Sequence, residues 1–321
     1  MCRWSAYLPK SSNKILKESE SEMDDLIINA AITGMVPTKT DNPNLPCSPD
    51  EIIEDARRCR DAGASIIHVH ARDEAGLPTY KKEIYLEIIS GIRSKCPDLL
   101  ICGSASGRAY KEFWQRAQVL NQGQGCRPDF ASLTLGSMNF PNQASVNEPT
   151  MIESLAKAMT EHAVIPEWEI FDLGMIDYAH HLIKKGLLHK PYYCNIFLGS
   201  LGTISATPFN LAAMARALPE STVWSATGIG QFQFFVNSMA ITMGGHVRVG
   251  LEDSLYYDSE KKHLASNPGL IERIVKVARA IGRDIASPDR TRQLLGLAKN
   301  QPKTPIEVIK YRSEYHLHEK V

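Results

Sequence analysis

The chain has 321 residues, 43% of them hydrophobic and 22% charged, which excludes a disordered segment or a small stapled scaffold and leaves enough apolar residues for a full core. Its 36 Lys and Arg are matched by 36 Asp and Glu, so it lacks the basic excess that a nucleic-acid backbone demands, and a small molecule is the expected partner. Cys2, Cys47, Cys59, Cys96, Cys102, Cys126 and Cys194 are odd in number, widely scattered and form no CxxC pair, so neither a disulfide framework nor a zinc ribbon is indicated, and a reducing cytoplasm is expected.

Residues 1–25 run through Lys, Ser and Glu without the apolar stretch of a secretory signal, so they are expected to form a frayed extension ahead of one domain over 26–321. No apolar run approaches the ~20 residues of a membrane span. From Leu26 onward, short β-branched runs alternate with amphipathic stretches, the pattern of repeated βα units on a parallel sheet. Strands are predicted over Leu26–Thr33, Ser65–His70, Leu99–Ser104, Asp129–Leu133, Val164–Phe171, Tyr192–Phe197, Thr222–Ala226 and His246–Val249. The first helix has Ser48 as N-cap and Pro49 at its first position, with Ile52, Ile53, Ala56 and Cys59 at helical spacing before Gly63 ends it. Further helices are predicted over 83–92, 109–120, 149–162, 175–185, 208–218 and 231–243, and 270–281 closes the ring. Eight units predict a TIM (β/α)8 barrel with a short N-terminal extension and extra C-terminal helices. An open doubly wound sheet is the competitor, but the first strand leads into Thr33-Gly34-Met35-Val36-Pro37, with no GxGxxG turn for a dinucleotide.

In such a barrel the reactive groups lie at the carboxyl ends of the strands. His68 and His70, two residues apart, point to one face of the second strand and offer two nitrogen ligands for zinc. Two core histidines bonded to carbonyl groups are the competing reading. Just past the eighth strand, which borders the first, Glu252 can complete a His/His/Glu site with an open position, leaving Asp253 as base and Arg248 as its positioner. A solvated ion-pair cluster is the alternative for these three. The third strand ends in Cys102-Gly103-Ser104-Ala105-Ser106-Gly107-Arg108, a turn of small residues suited to a carboxylate. The fourth ends in Ser132-Leu133-Thr134, and the fifth carries Glu167, Glu169 and Asp172 around Trp168. Glu169 points inward if it shares a register face with Glu167. Cys102 and Cys194 lack an adjacent base and read as buried thiols. The remaining histidines, including His180 and His181, read as surface residues.

Several segments together resemble the β-keto acid cleavage enzymes: Asn29-Ala30-Ala31-Ile32-Thr33-Gly34, Asn42-Pro43-Asn44-Leu45-Pro46, His68-Val69-His70-Ala71-Arg72, Pro166-Glu167-Trp168-Glu169, and Gly244 through Asp253. The resemblance spans Leu26 to about Leu297. It implies a zinc-bearing TIM barrel, homo-oligomeric as a dimer or tetramer, that converts a β-keto acid and acetyl-CoA into acetoacetate and a new acyl-CoA. By that pattern His68, His70 and Glu252 bind zinc, Ser104 and Ser132 hold the substrate carboxylate, Arg248 and Asp253 serve proton transfer, and Glu169 lines the site. Thr134, Val36 and Arg108 join the substrate-binding candidates. Val36 stands where a member acting on an amino-substituted keto acid has a glutamate, and Arg108 adds a charge that member lacks, so a neutral or anionic tail is expected. Arg108 turned inward would favour a diacid; turned to solvent, a short aliphatic substrate. Arg248 is expected to keep Asp253 ionised and lower its pKa. A metal-dependent aldolase and a non-catalytic metal-binding barrel are the alternative readings.

Overall fold

The computed structural model describes residues 23–297 apart from positions 124 and 142. Most of the expected extension, and the chain beyond 297, lie outside the described residues. Eight parallel strands close a barrel: β1 (Ile28–Ala31), β2 (Ile66–Val69), β3 (Leu100–Gly103), β4 (Phe130–Thr134), β5 (Ile165–Ile170), β6 (Tyr192–Leu198), β7 (Thr222–Gly228) and β8 (His246–Val249). They follow one another around the ring, and β8 pairs with β1 through Asn29 opposite Arg248. Each predicted strand is present: β1, β2, β3 and β5 are trimmed at both ends, β4, β6 and β7 run further at the carboxyl end, to Thr134, Leu198 and Gly228, and β8 has the predicted bounds. This is the TIM-like fold.

Alternation along each strand sorts its side chains into two layers. Ile28, Ala30, Ile67, Val69, Ile101, Leu133 and Val247 belong to the large core beneath the helices, while Ile27, Ile66, Leu100, Cys102, Phe130 and Tyr193 form a second cluster with Ala286 and Leu295. This second cluster is the barrel interior. One step further along the same faces the interior turns polar: Asn29, His68, Glu167, Asn195, Ser225 and Arg248 are all buried. Sequestered polar groups cost free energy unless paired, so a polar upper barrel implies a ligand or a dense network there.

Helices follow the strands as α1 (Pro49–Ala62), α2 (Lys82–Lys95), α3 (Phe113–Arg116), α4 (Pro149–Glu161), α5 (Leu173–Lys184), α6 (Pro208–Ala217), α7 (Gln233–Thr242), α8 (Asn267–Ala280) and α9 (Pro288–Leu294). In α1, Ser48 and Glu51 form a reciprocal cap, Pro49 sits at the first turn, and Gly63 closes the helix at φ 120°, a backbone that other residues rarely adopt. The helix expected over 109–120 is shorter, because α3 starts only at Phe113 and continues as a 3-10 turn over Ala117–Leu120. Tyr110 is held instead by its hydroxyl on the Pro78 carbonyl, and buried Arg116 donates to the Ala105 carbonyl and to Asn147. Asp172 caps α5 by accepting from the Met175 amide and takes no part in the interior. A small hairpin, Met138–Asn139 with Ala144–Ser145, rises after β4. No described helix is long and apolar enough to cross a membrane.

At the amino end of the barrel, α9 forms a floor. Thr291 donates to Ser65 at 2.8 Å, Arg292 reaches Asp129, and Leu26 bridges to Ile285.

Candidate active site

Arg248 lies at the centre of the upper barrel, almost wholly buried. Its Nε donates to Asp253 at 2.9 Å and one terminal nitrogen reaches Glu252 at 2.8 Å. The other stands 3.7 Å from Glu167 and 4.0 Å from Glu169. The sharp turn after β8 makes this possible: Gly250 has φ 154°, and a Cβ there would lie 2.1 Å from the Ala31 carbonyl oxygen. Gln233 binds the Gly250 carbonyl and Asn267 binds the Leu251 amide, so Glu252 and Asp253 are held on well-braced backbone.

His70 Nε2 lies 3.1 Å from Glu252 Oε1, and His68 Nε2 lies 3.8 Å from Glu252 Oε2. His68 Nδ1 bonds Glu167 at 2.8 Å, which fixes the ring and leaves Nε2 as a free lone pair. Both His68 Nε2 and Glu252 Oε2 are buried without a hydrogen-bond partner. Their ligand atoms and that of His70 cluster within 4.8 Å, and ligands 2.0–2.1 Å from one tetrahedral ion would stand roughly 3.3 Å apart. The three side chains therefore fit a divalent cation, and the surplus of carboxylates over cations in the cavity favours one. A second cluster, His68 with Cys102 and Glu167, fits less well. It would break the His68–Glu167 bond and use a thiol whose pKa burial raises far above its ordinary value.

The acids differ in their environments. Burial opposes ionisation of Glu252, but Arg248 and the two imidazoles outweigh it and hold its pKa well down. Asp253 departs from expectation. Its pKa is raised, because complete burial and the nearby Glu252 charge prevail over the Arg248 guanidinium that was expected to lower it. The arginine still orients the carboxylate through two contacts. Glu169 is likewise raised by burial, accepts from Thr134 at 2.6 Å, and faces inward on the same side of β5 as Glu167.

Ser104 and Ser132, both buried, flank the turn after β3. Ser132 Oγ accepts from the Ala105 amide at 3.0 Å and Ser104 Oγ accepts from the Ser106 amide at 3.2 Å, so each hydroxyl hydrogen remains free to donate. A cleft beside His70 is lined by Ser104, Ala105 and Ser106 of that turn with Met35, Tyr80 and Tyr110. Val36 is 56% exposed, and Met35 is the residue of that loop that borders the cleft. The cause is Arg72, which draws the Gly34 and Pro37 carbonyls onto one guanidinium nitrogen. Arg108 is half-buried, with its guanidinium over the Phe140 ring.

Sequence reasoning named Glu167 without giving it a role and missed Asn29, which donates to Glu167 at 2.7 Å and to Tyr193 at 3.1 Å. The acidic i, i+2 pair on a strand was the available signal. The Asn42-Pro43-Asn44 segment is structural, since Asn42 donates to the Leu255 and Ala265 carbonyls. Cys102 and Cys194 are buried thiols as expected, both with raised pKa values. His180 and His181 are exposed. His246 contradicts the surface reading: it is buried, accepts the Ile27 amide at 3.0 Å, and is kept neutral by burial and Arg283, its pKa pushed down to about 3.

Comparison with known proteins agrees with this geometry. The model of the beta-keto acid cleavage enzymes matches residues 25–297. A 3-keto-5-aminohexanoate cleavage enzyme of Fusobacterium nucleatum is 42% identical over 279 residues, covering 86% of this chain and 100% of the relative. A 3-oxoadipate:acetyl-CoA acetyltransferase of Cupriavidus necator is 33% identical over 84% of this chain and 94% of its own length. Among solved structures, ObcA in binary complex with oxaloacetate superposes with a TM-score of 0.72 at 20% identity, covering 80% of this chain and 68% of ObcA, which speaks for the fold. With its interior histidines, carboxylates and arginine on the strand ends of a closed barrel, the chain belongs to the β-keto acid cleavage enzyme family.

Proposed function

We propose that the protein transfers an acyl group from a β-keto acid to coenzyme A, using acetyl-CoA as co-substrate and releasing acetoacetate, with a zinc ion at His68, His70 and Glu252. The observation that supports this most directly is the pair of orphaned atoms, His68 Nε2 and Glu252 Oε2, set beside Asp253, a buried carboxylate outside that ligand cluster. A bound zinc would supply Lewis-acid polarisation of the substrate's oxygens.

Ser104 and Ser132 donate to the substrate carboxylate and orient it. Asp253 takes the proton from C2 as the general base. Arg248 holds that carboxylate in place and steadies the cavity's negative charge as it builds. The C2 carbanion attacks the acetyl thioester and expels the CoA thiolate, which then attacks the original ketone. The C2–C3 bond breaks with its electron pair on C2, and Asp253 returns the proton, giving acetoacetate and the new acyl-CoA. Glu169 and Thr134 form the wall opposite. The cleft beside His70 has no carboxylate in its lining, and an unpaired buried ammonium costs several kcal/mol, so the tail is neutral or anionic. Cys47, Cys59, Cys96, Cys102 and Cys194 are free thiols; a reducing cytoplasm and a dimeric or tetrameric assembly belong to the same proposal.

Purified protein should convert β-keto acids plus acetyl-CoA into acetoacetate and the matching acyl-CoA, read by mass spectrometry. A His68→Ala/His70→Ala double variant should lose bound metal by elemental analysis while keeping its fold. Equal metal content in both proteins would remove His68 and His70 from the site.

A further inference from the structure

Arg108 leads the turn after β3 away from Gly107 and over the hairpin that follows β4. Its Cζ lies 3.7 Å from the centroid of Phe140. Phe140 meets Phe171 edge-on at 5.8 Å, Phe171 stacks on Phe197 at 4.5 Å with 12° between planes, and Arg248 lies 4.9 Å above Phe197. An unbroken aromatic wall therefore joins the central arginine to a second, outer one. Burial lowers the Arg108 pKa, and the Glu252, Glu169 and Asp253 carboxylates oppose that effect. Among the described residues its guanidinium has no hydrogen-bond acceptor, and its Nε is buried without a partner.

A phenyl face attracts the cation but accepts none of its five N–H groups in the fork geometry of a carboxylate. A half-buried guanidinium in that setting is suited to receive an anion. The part-exposed Phe140 ring beneath the guanidinium suits methylene groups, and the cation upon it suits a terminal charge. The surrounding acids would repel an incoming anion if Arg108 were absent.

We propose that Arg108, seated on Phe140, binds a second carboxylate at the tail of the substrate, so that the preferred β-keto acid is a diacid. This rests on the reaction proposed above. It differs from a role in holding the C1 carboxylate, which every β-keto acid shares, or in gripping the coenzyme's phosphates.

The test compares β-ketoadipate with β-ketohexanoate, matched in chain length and lacking only the terminal carboxylate. Wild-type protein should favour the diacid in kcat/KM, and Arg108→Met, which keeps length and apolar contact with Phe140, should lower the diacid-to-monoacid ratio by roughly 10- to 100-fold. Calorimetry without acetyl-CoA should show adipate binding more tightly than hexanoate to the wild type, with that gap reduced in the variant. Circular dichroism and Tm of Arg108→Met establish that it is folded; Arg108→Lys, which keeps the charge, should recover part of the ratio. Three results overturn the proposal: a wild-type preference for the monoacid, an unchanged ratio with both KM values raised, or a raised KM for acetyl-CoA alone. Absence of acetoacetate from every β-keto acid tried would instead defeat the parent reading, and the adipate measurement would still report on Arg108.

Discussion

Glu167 has no solvent to share its charge with, yet its pKa lies below the ordinary range: burial alone would raise it, and His68, Arg248 and Asn29 outweigh that effect. Its role is to hold the His68 ring so that Nε2 faces the cavity. Glu167→Gln keeps the shape but offers a weaker acceptor, so metal retention should fall about 10- to 100-fold in a chelator competition; unchanged retention would mean that packing alone orients the ring. Asp253 makes the complementary prediction. Asp253→Asn should lower kcat by at least about a hundredfold with metal content intact, whereas acetoacetate formation at the wild-type rate would move the base elsewhere.

The loop after β1 shows how an element can serve a site without touching substrate. Gly34 has φ 67°, and a Cβ there would stand 2.9 Å from Glu252 Cγ. Gly34→Ala should therefore displace the carboxylate at the mouth, reducing bound metal and turnover, with a stability loss of about 1–2 kcal/mol from the left-handed backbone. Normal metal content and activity would show that the loop yields without moving Glu252. The strands were legible as short β-branched runs between amphipathic stretches, buried on both faces, and His68 and His70 followed from the two-residue period of a strand. Other features depended on contacts across the barrel. Nothing local tells that Glu167 meets His68, or that Arg72 turns Val36 outward. The Met138–Asn139 and Ala144–Ser145 strands are too short to carry any period, and helix 109–120 was shortened by the side-chain ties of Tyr110 and Arg116.

Across the whole molecule, stability and chemistry occupy opposite ends of the barrel. Asp129 joins Arg93 of α2, Arg292 of α9 and the Ile101 amide of β3. Burial opposes its ionisation, but the two arginines prevail and its pKa is lowered. Its stabilising contribution is thus fully present above the unfolded value of roughly 3.9 and is lost as pH falls through the folded one. Asp129→Asn should cost about 3–5 kcal/mol in urea unfolding at neutral pH, since it leaves two arginines facing a neutral amide; a loss under 1 kcal/mol would show that the floor is held by α9 packing alone. The floor also brings distant parts of the chain together: Arg290 on α9 pairs with Asp24 and Asp25 just ahead of β1. Residues near either limit of the barrel are thus neighbours, on the side away from Arg248. A short linker could join them and new ends could be opened at the exposed Gly186 turn, where no atom crowds the glycine, giving a circular permutant in which every strand pairing and the mouth survive.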